Sequence, residues 1–357
     1  MGRGVHTLRE IREQPSALRE TIKANADLSR DIAEAVVDRG FRRIYAVGSG
    51  SSFYSSVVCK HVIEGCSGLP VEAVPASEFV YYAPVIDDGT LIIATSRSGE
   101  TSDLLASTRA GKERGGVILA ITSTEGSSLA KESDYVLATR GAEEESVVQT
   151  KTFSAHLACG LLLAYHLGRA RGPLPNERLQ EIARDLDSVP DVVAQVLKTS
   201  EGRMKELARK YLKGDVFFFL GKGPSYGIAC EGMLKLKEMS LTPAAAYPSG
   251  EFRHGPISVV EPGVTCVVIN PLGMGYRDNL RLMGEIKGKG GSVVCVGSGD
   301  PPEPSDDFVR IPELDEYVAP IPSVIPLQLL GLYRALMKGL DPDRPRHLKR
   351  VVKDVIR

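Results

Sequence analysis

Through residues 7–39 the apolar side chains Leu8, Ile11, Leu18, Ile22, Leu28, Ile32 and Val36 recur at helical spacing. Pro15 separates a short first helix from a longer second one, and Gly40 stops it. The pattern then changes to short continuous apolar runs at 43–47, 70–74, 91–95, 117–121 and 135–138. Such runs predict strands buried on both faces, and helical spacing between them predicts a parallel α/β sheet. Helices are expected over 103–111, from Thr150 to about Arg169, over 192–212 and over 323–338. The stretch 173–190 reads as a link between domains, two proline-punctuated segments flanking a helix. Glu143–Glu144–Glu145 reads as a solvated edge, and Asp341 to Arg350, with Pro342 and Pro345, as an ordered arm.

The second half repeats the first. Gly221 follows Gly48 by 173 positions, and Glu251-Phe252 follows Glu78-Phe79 by the same interval. The chain therefore predicts two tandem α/β units, each a parallel five-stranded sheet flanked by helices in three layers, flavodoxin-like, with a C-terminal arm. The boundaries expected are N-terminal helices to residue 40, a first domain over 41–172, a linker helix over 173–200, a second domain over 201–340 and the arm over 341–357.

Composition narrows the function. A chain of 357 residues with 43 % hydrophobic content supports about two cores. A net charge of −1 offers no broad positive field for nucleic acid. No apolar run reaches the ~18 residues of a membrane span, and the charged N-terminus lacks a signal-peptide core. The six cysteines form no CxxC and read as buried thiols of a reducing cytoplasm. With no HExxH and no Cys/His cluster, neither metal nor cofactor is expected.

Candidate chemistry falls in three places. Gly48-Ser49-Gly50-Ser51-Ser52 follows one strand and opens a helix, the geometry that offers N–H and hydroxyl donors to an anion. It lacks the third glycine of a dinucleotide fingerprint and the GK[ST] of a P-loop. Ser96-Arg97-Ser98-Gly99-Glu100-Thr101 repeats the arrangement after another strand, at the edge where open α/β sheets bind ligands. The second copy has Pro271-Leu272-Gly273 instead, so the phosphate cradle belongs to the first copy. The third place is EGMLKLKEMSLTPAAAYPSGEFRHGP, residues 231–256. Glu231, Lys235 and Glu238 share one helix side, and His254 lies in the following loop. This is either a solvated helix with weak ion pairs or a proton-transfer site. A ligand touching both copies is expected between domains or between subunits.

Taken together, GSS, SRSGET, TKTF at 150–153, EGMLKLKEMS, EFRHGP and DPDRPRHL resemble the sugar isomerase (SIS) family, in particular the isomerase half of glutamine–fructose-6-phosphate aminotransferases. The resemblance implies that Ser51, Ser52, Ser96, Ser98 and Thr101 hold a 6-phosphate, with Gly50, Arg97, Val147, Lys349 and Arg350 also at the sugar. It implies that Glu238 moves a proton between C1 and C2, that Lys235 sits near the hydroxyls, and that His254 helps open the ring from a neighbouring subunit of a homodimer. The arm closes over the sugar. Two departures modify this. The chain starts directly at the isomerase region, so glutamine is not expected to be its nitrogen donor. Arg350 stands where the family has its imine-forming lysine, and a guanidinium stays protonated; Lys349 or Lys353 are the substitutes. The expected activity is interconversion of glucosamine 6-phosphate and fructose 6-phosphate plus ammonia. The alternatives are another sugar-phosphate isomerase, a fructosamine-6-phosphate deglycase, or a non-catalytic sugar-phosphate sensor.

Overall fold

The structure, a computed structural model, describes residues 2–82, 85–214 and 216–352. Helices α1 (Val5–Arg12) and α2 (Gln14–Asp38) come first. The first sheet follows: β1 (Arg43–Gly48), β2 (Val71–Pro75), β3 (Thr90–Ser96), β4 (Val117–Thr122) and β5 (Tyr135–Ala138). Helices α3 (Ser51–Ser67), α4 (Ala76–Tyr81), α5 (Ser102–Glu113) and α6 (Ser128–Glu132) connect its strands, and α7 (Lys151–Arg171) comes after them. The strands are all parallel in the order β2-β1-β3-β4-β5. This doubly wound order opens a crevice between β1 and β3, at their C-terminal ends.

The second sheet has β6 (Val216–Gly221), β7 (Ala244–Pro248), β8 (Val264–Asn270), β9 (Ser292–Gly297) and β10 (Asp307–Arg310), in the order β10-β9-β8-β6-β7. Read from β7, this is the order of the first sheet. Its helices are α9 (Pro224–Ser240), α10 (Ser249–Phe252), α11 (Tyr276–Gly288) and α12 (Pro320–Met337). The duplication extends to the packing. Tyr45 and Phe79 meet edge to face at 5.6 Å in the first core, and Phe218 and Phe252, each 173 positions later, meet at 5.1 Å in the second. Gly48 and Gly221 match as well: a Cβ on either would lie within 2.6 Å of backbone at the start of the next helix. Only glycine lets strand and helix approach so closely.

The proline-interrupted link expected over 173–190 is instead the start of one helix. α8 runs from Asn176 to Lys210 with Pro190 inside it. A proline removes one hydrogen bond of a helix, and here Val189, Val193, Val196 and Leu197 keep a buried stripe running past it. Glu144 also departs from expectation. It is buried and accepts from the Thr150 N–H at 2.6 Å and from the Thr150 hydroxyl at 3.2 Å, so it organises a turn.

The compact units do not follow chain order. The first sheet belongs with Ser16–Glu143, Lys151–Asp187 and the described residues from Lys349 onward. The second sheet belongs with Met1–Pro15, Glu144–Thr150 and Ser188–Leu348. All six cysteines are buried, and among the described residues no helix is long and apolar enough to cross a membrane.

His156 of α7 is fully buried, and neither ring nitrogen has a hydrogen-bond partner among the described residues. Burial, then the nearby charge of Arg97, push its pKa down from 6.5 to about 3. Between those two values the unfolded chain binds a proton that the folded chain does not, so lowering the pH destabilises the fold. We expect stability to fall by up to ~1.4 kcal/mol per pH unit over that window from this group alone. Urea unfolding of His156→Leu across the same pH range should show a correspondingly shallower slope. Identical slopes in variant and parent would remove His156 as the cause.

Candidate active site

The first site component lies at the C-terminal edge of the first sheet. Gly50 (φ 57°, ψ −128°) turns the chain into α3 and has no side chain to cap it, and the Ser52 N–H donates to the Ser49 carbonyl at 3.2 Å. Ser51 and Ser52 occupy its first turn and are buried. Across the crevice, β3 ends in Ser96. The Ser96 Oγ accepts from the Gly99 N–H at 3.0 Å, and the Ser98 Oγ accepts from the Glu100 N–H at 3.2 Å. Each hydroxyl is thereby oriented with its own proton left to donate. Thr101 stands at the N-cap of α5 without capping it through its side chain. Arg97 is buried in the same turn and donates to the Arg350 carbonyl at 3.2 Å. Hydroxyl donors and a buried guanidinium at the C-terminal edge of a parallel sheet are groups of the kind that can bind a dianion.

The second component is the face of α9. Glu231 and Lys235 are fully buried, and the Glu238 side chain is 12 % exposed. The Lys235 Nζ lies 3.1 Å from Glu231 and also donates to Glu238. Burial alone lowers the pKa of Lys235, but the adjacent Glu231 and Glu238 outweigh it, and the pKa ends above its ordinary 10.5. The ammonium therefore stays charged at neutral pH. The solvated-helix reading is excluded for this face, because two of the three charges have no access to water. Glu238 alone of the three borders a cavity of about 120 Å³, with Met239, Leu241, Leu340, Asp341, Arg344, Pro345 and Arg346.

Residues 340–346 form a strap on that cavity, fastened to the N-terminus of α1. Asp341 accepts from the Gly4 N–H at 3.0 Å. Asp343 accepts from the His6 N–H at 3.1 Å and from both the N–H and the hydroxyl of Thr7 at 2.7 Å. The Asp343 carbonyl in turn accepts from the Val147 N–H at 3.2 Å. Glu10 of α1 accepts from the N–H groups of Glu145 and Ser146, at 2.5 and 3.1 Å. Three stretches distant in sequence are thus one hydrogen-bonded cluster.

The sequence-predicted residues divide accordingly. Gly50, Ser51, Ser52, Ser96, Arg97, Ser98, Thr101 and Arg350 lie in the first-sheet unit, as does Lys349, which is exposed. Lys235, Glu238, Val147 and His254 lie in the second-sheet unit. His254 is exposed, and its ring has no partner among the described residues. Its neighbours explain this. Phe252 is buried in the core, and Arg253 is held to α11 by Glu285 at 3.0 Å and Asp278 at 3.2 Å, so the imidazole is left outward. Lys353 lies outside the described residues. Sequence reasoning missed Asp343, Thr7 and Glu10. Their partners lie 135 or more positions away, and no local pattern marks them.

Two copies of a doubly wound sheet, with a hydroxyl-rich turn at the edge of the first and a buried carboxylate–ammonium cluster on a helix of the second unit, define a tandem α/β protein. The chain belongs to the SIS domain family, whose pattern matches residues 39–165 and 213–337. A glutamine–fructose-6-phosphate aminotransferase of Gloeobacter violaceus is 39 % identical over 97 % of this chain. The chain spans 58 % of that protein's length. Among solved structures, the C-terminal domain of a glucosamine-fructose-6-phosphate aminotransferase from Francisella tularensis is similar with a TM-score of 0.87 at 29 % identity, over 95 % of this chain and 98 % of that one. A glucosamine-6-phosphate deaminase from Thermotoga maritima is similar with a TM-score of 0.76 at 27 % identity, over 97 % and 99 %.

Removing the cation from the α9 cluster leaves two carboxylates without their counter-charge. Lys235→Met is expected to destabilise the protein by about 3–5 kcal/mol, read as a lower urea midpoint. A midpoint within ~0.5 kcal/mol of the parent would show that the carboxylates do not depend on Lys235.

Proposed function

We propose that the chain is a sugar-phosphate isomerase of amino sugars, interconverting glucosamine 6-phosphate and fructose 6-phosphate plus ammonia. The observation that carries this is the setting of Glu238: a carboxylate held by a buried ammonium and bordering a cavity. Aldose–ketose interconversion needs one such group, able to take a proton from one carbon and return it to the next. In the open-chain amino sugar, Glu238 takes the C2 proton and returns it to C1. The amine becomes a C2 imine, water adds to that carbon, and ammonia leaves with fructose 6-phosphate. Lys235 lies buried behind Glu238 instead of at the sugar hydroxyls, and acts by holding that carboxylate in place. The cradle of Ser51, Ser52, Ser96, Ser98 and Thr101 takes the phosphate, a remote handle that fixes the geometry.

In this reading His254 assists ring opening from the neighbouring subunit of a homodimer, which its outward position supports. Arg350 cannot form an imine, so ring opening proceeds without a covalent bond at that residue. The names of both related solved proteins include glucosamine, and one of them is a glucosamine-6-phosphate deaminase, which supports the choice of amino sugar. The deglycase reading shares the same base and differs in the carbon that bears nitrogen, C1 instead of C2, so the proton moves from C1 to C2. Location in the cytoplasm belongs to the same proposal.

Glu238→Gln is expected to lower release of ammonia from glucosamine 6-phosphate by about 10²–10⁴-fold and to keep affinity for fructose 6-phosphate. The assay pairs ammonia detection with calorimetry. An unchanged rate would remove Glu238 as the base, and a parent protein that binds the sugar phosphate without turnover of any substrate would leave a sensor. Mixing Glu238→Gln with His254→Asn subunits should restore part of the activity, since one site of the mixed dimer is intact. Mixtures no more active than either variant would argue against a shared site.

A further inference from the structure

The second sheet has a crevice of its own. Its strand order reverses between β6 and β8, and open α/β sheets bind ligands outside the carboxyl ends of such strands. The cleft there holds about 20 Å³, room for one water-sized group, and Lys222, Ser225, Asn270, Tyr276, Asn279 and Glu316 are among its walls. All six belong to the second-sheet unit. Two of them occupy positions that the first copy uses. β3 and β8 are each seven residues long, and they end in Ser96 and Asn270. Ser52 and Ser225 are each the second residue of the helix that follows the left-handed glycine.

The floor is polar and incompletely paired. Asn270 and Asn279 are 1 % and 2 % exposed. The Asn279 Nδ2 donates to the Asn270 Oδ1 at 3.1 Å, while the Asn270 Nδ2 and the Asn279 Oδ1 have no hydrogen-bond partner among the described residues. Buried amides are rarely left so. Turning both side chains over keeps one bond between them and again leaves one amide donor beside one carbonyl acceptor. A hydroxyl both donates and accepts, so a single hydroxyl completes the pair. The rim selects against an anion. Pro224, which has no N–H, stands where the first copy has Ser51. Lys222 is already paired with Asp278, and Glu316 adds a carboxylate. Pro271 and the Tyr276 ring give apolar surface for carbon-bound hydrogens.

We propose that this crevice is a second ligand site, which takes a neutral sugar by one of its hydroxyls. That hydroxyl accepts from one amide of the Asn270–Asn279 pair and donates to the other. Neighbouring hydroxyls meet Ser225 and the Lys222–Asp278 pair, whose charges cancel. The site shares no wall residue with the Glu238 cavity and does not depend on the reaction assigned there.

Calorimetry and saturation-transfer NMR on the full chain test this with glucose. Acetamide serves as a probe that satisfies the same amide pair without a hydroxyl, and glycerol as one with hydroxyls but no ring. We expect glucose to bind, and its Kd to rise by about tenfold in the double variant Asn270→Leu, Asn279→Leu. Replacing both polar partners with apolar groups of similar shape costs the fold little. Gly275→Val closes the cleft from its rim without touching a buried amide. A Cβ at Gly275 would lie 3.0 Å from the Lys222 side chain, and the backbone there, at φ −85°, accepts any residue. This variant should weaken glucose by a similar factor. The double variant Ser51→Ala, Ser96→Ala, in the first crevice, should leave glucose affinity as it is. A parent that does not bind glucose overturns the proposal and leaves the two amides to water. So does an affinity that survives both the leucine and the valine variants, or one lost with Ser51 and Ser96, which would put the sugar in the first crevice. Acetamide or glycerol held as tightly as glucose overturns the choice of a sugar. Absence of isomerase activity would count against Glu238 as a base and leave the glucose result unchanged.

Discussion

The buried ammonium of Lys235 is the constraint on which the site depends. It lies out of water between Glu231 and Glu238, and a charge in that position persists only with partners at contact distance. α9 therefore has to keep these three residues on one face, and the core has to close over two of them. The return is a carboxylate that reaches the cavity with little freedom to reorient. Pairing with the same ammonium fixes the direction Glu238 faces, as the proposed proton transfer between adjacent carbons demands.

Duplication explains how two kinds of site came to occupy one chain. Both sheets share an order, both have a glycine that lets helix and strand touch, and both begin the next helix at a left-handed glycine, Gly50 at φ 57° and Gly223 at φ 56°. Only side chains differ at that point. In the first copy Ser51 follows the glycine; in the second Pro224 follows, which has no N–H to offer. The helix after the second glycine instead carries the buried charges of Glu231 and Lys235.

Much of this was legible from residues alone, for a physical reason. Strands buried on both faces write continuous apolar runs, so the ten strands and their doubling can be read from 43–47 or 91–95 and from the 173-residue interval. The serine turns were legible because glycine and hydroxyl spacing is local. Whether Glu231, Lys235 and Glu238 were solvated was not legible, since a helix face with i, i+4 charges has the same spacing in water and in a core. Pro190 misled because a proline marks a helix end unless flanking apolar residues hold the helix together, and that is a tertiary fact. Asp343 was silent, because its partner Thr7 lies 336 positions away.

The opening residues of a domain are ordinarily its most expendable, the part that frays and is trimmed first. Here the amides of Gly4, His6 and Thr7 carry the strap that borders the Glu238 cavity. No strand of either sheet includes these residues, so without their donors the cavity would lose the hold on one wall while both sheets kept every strand.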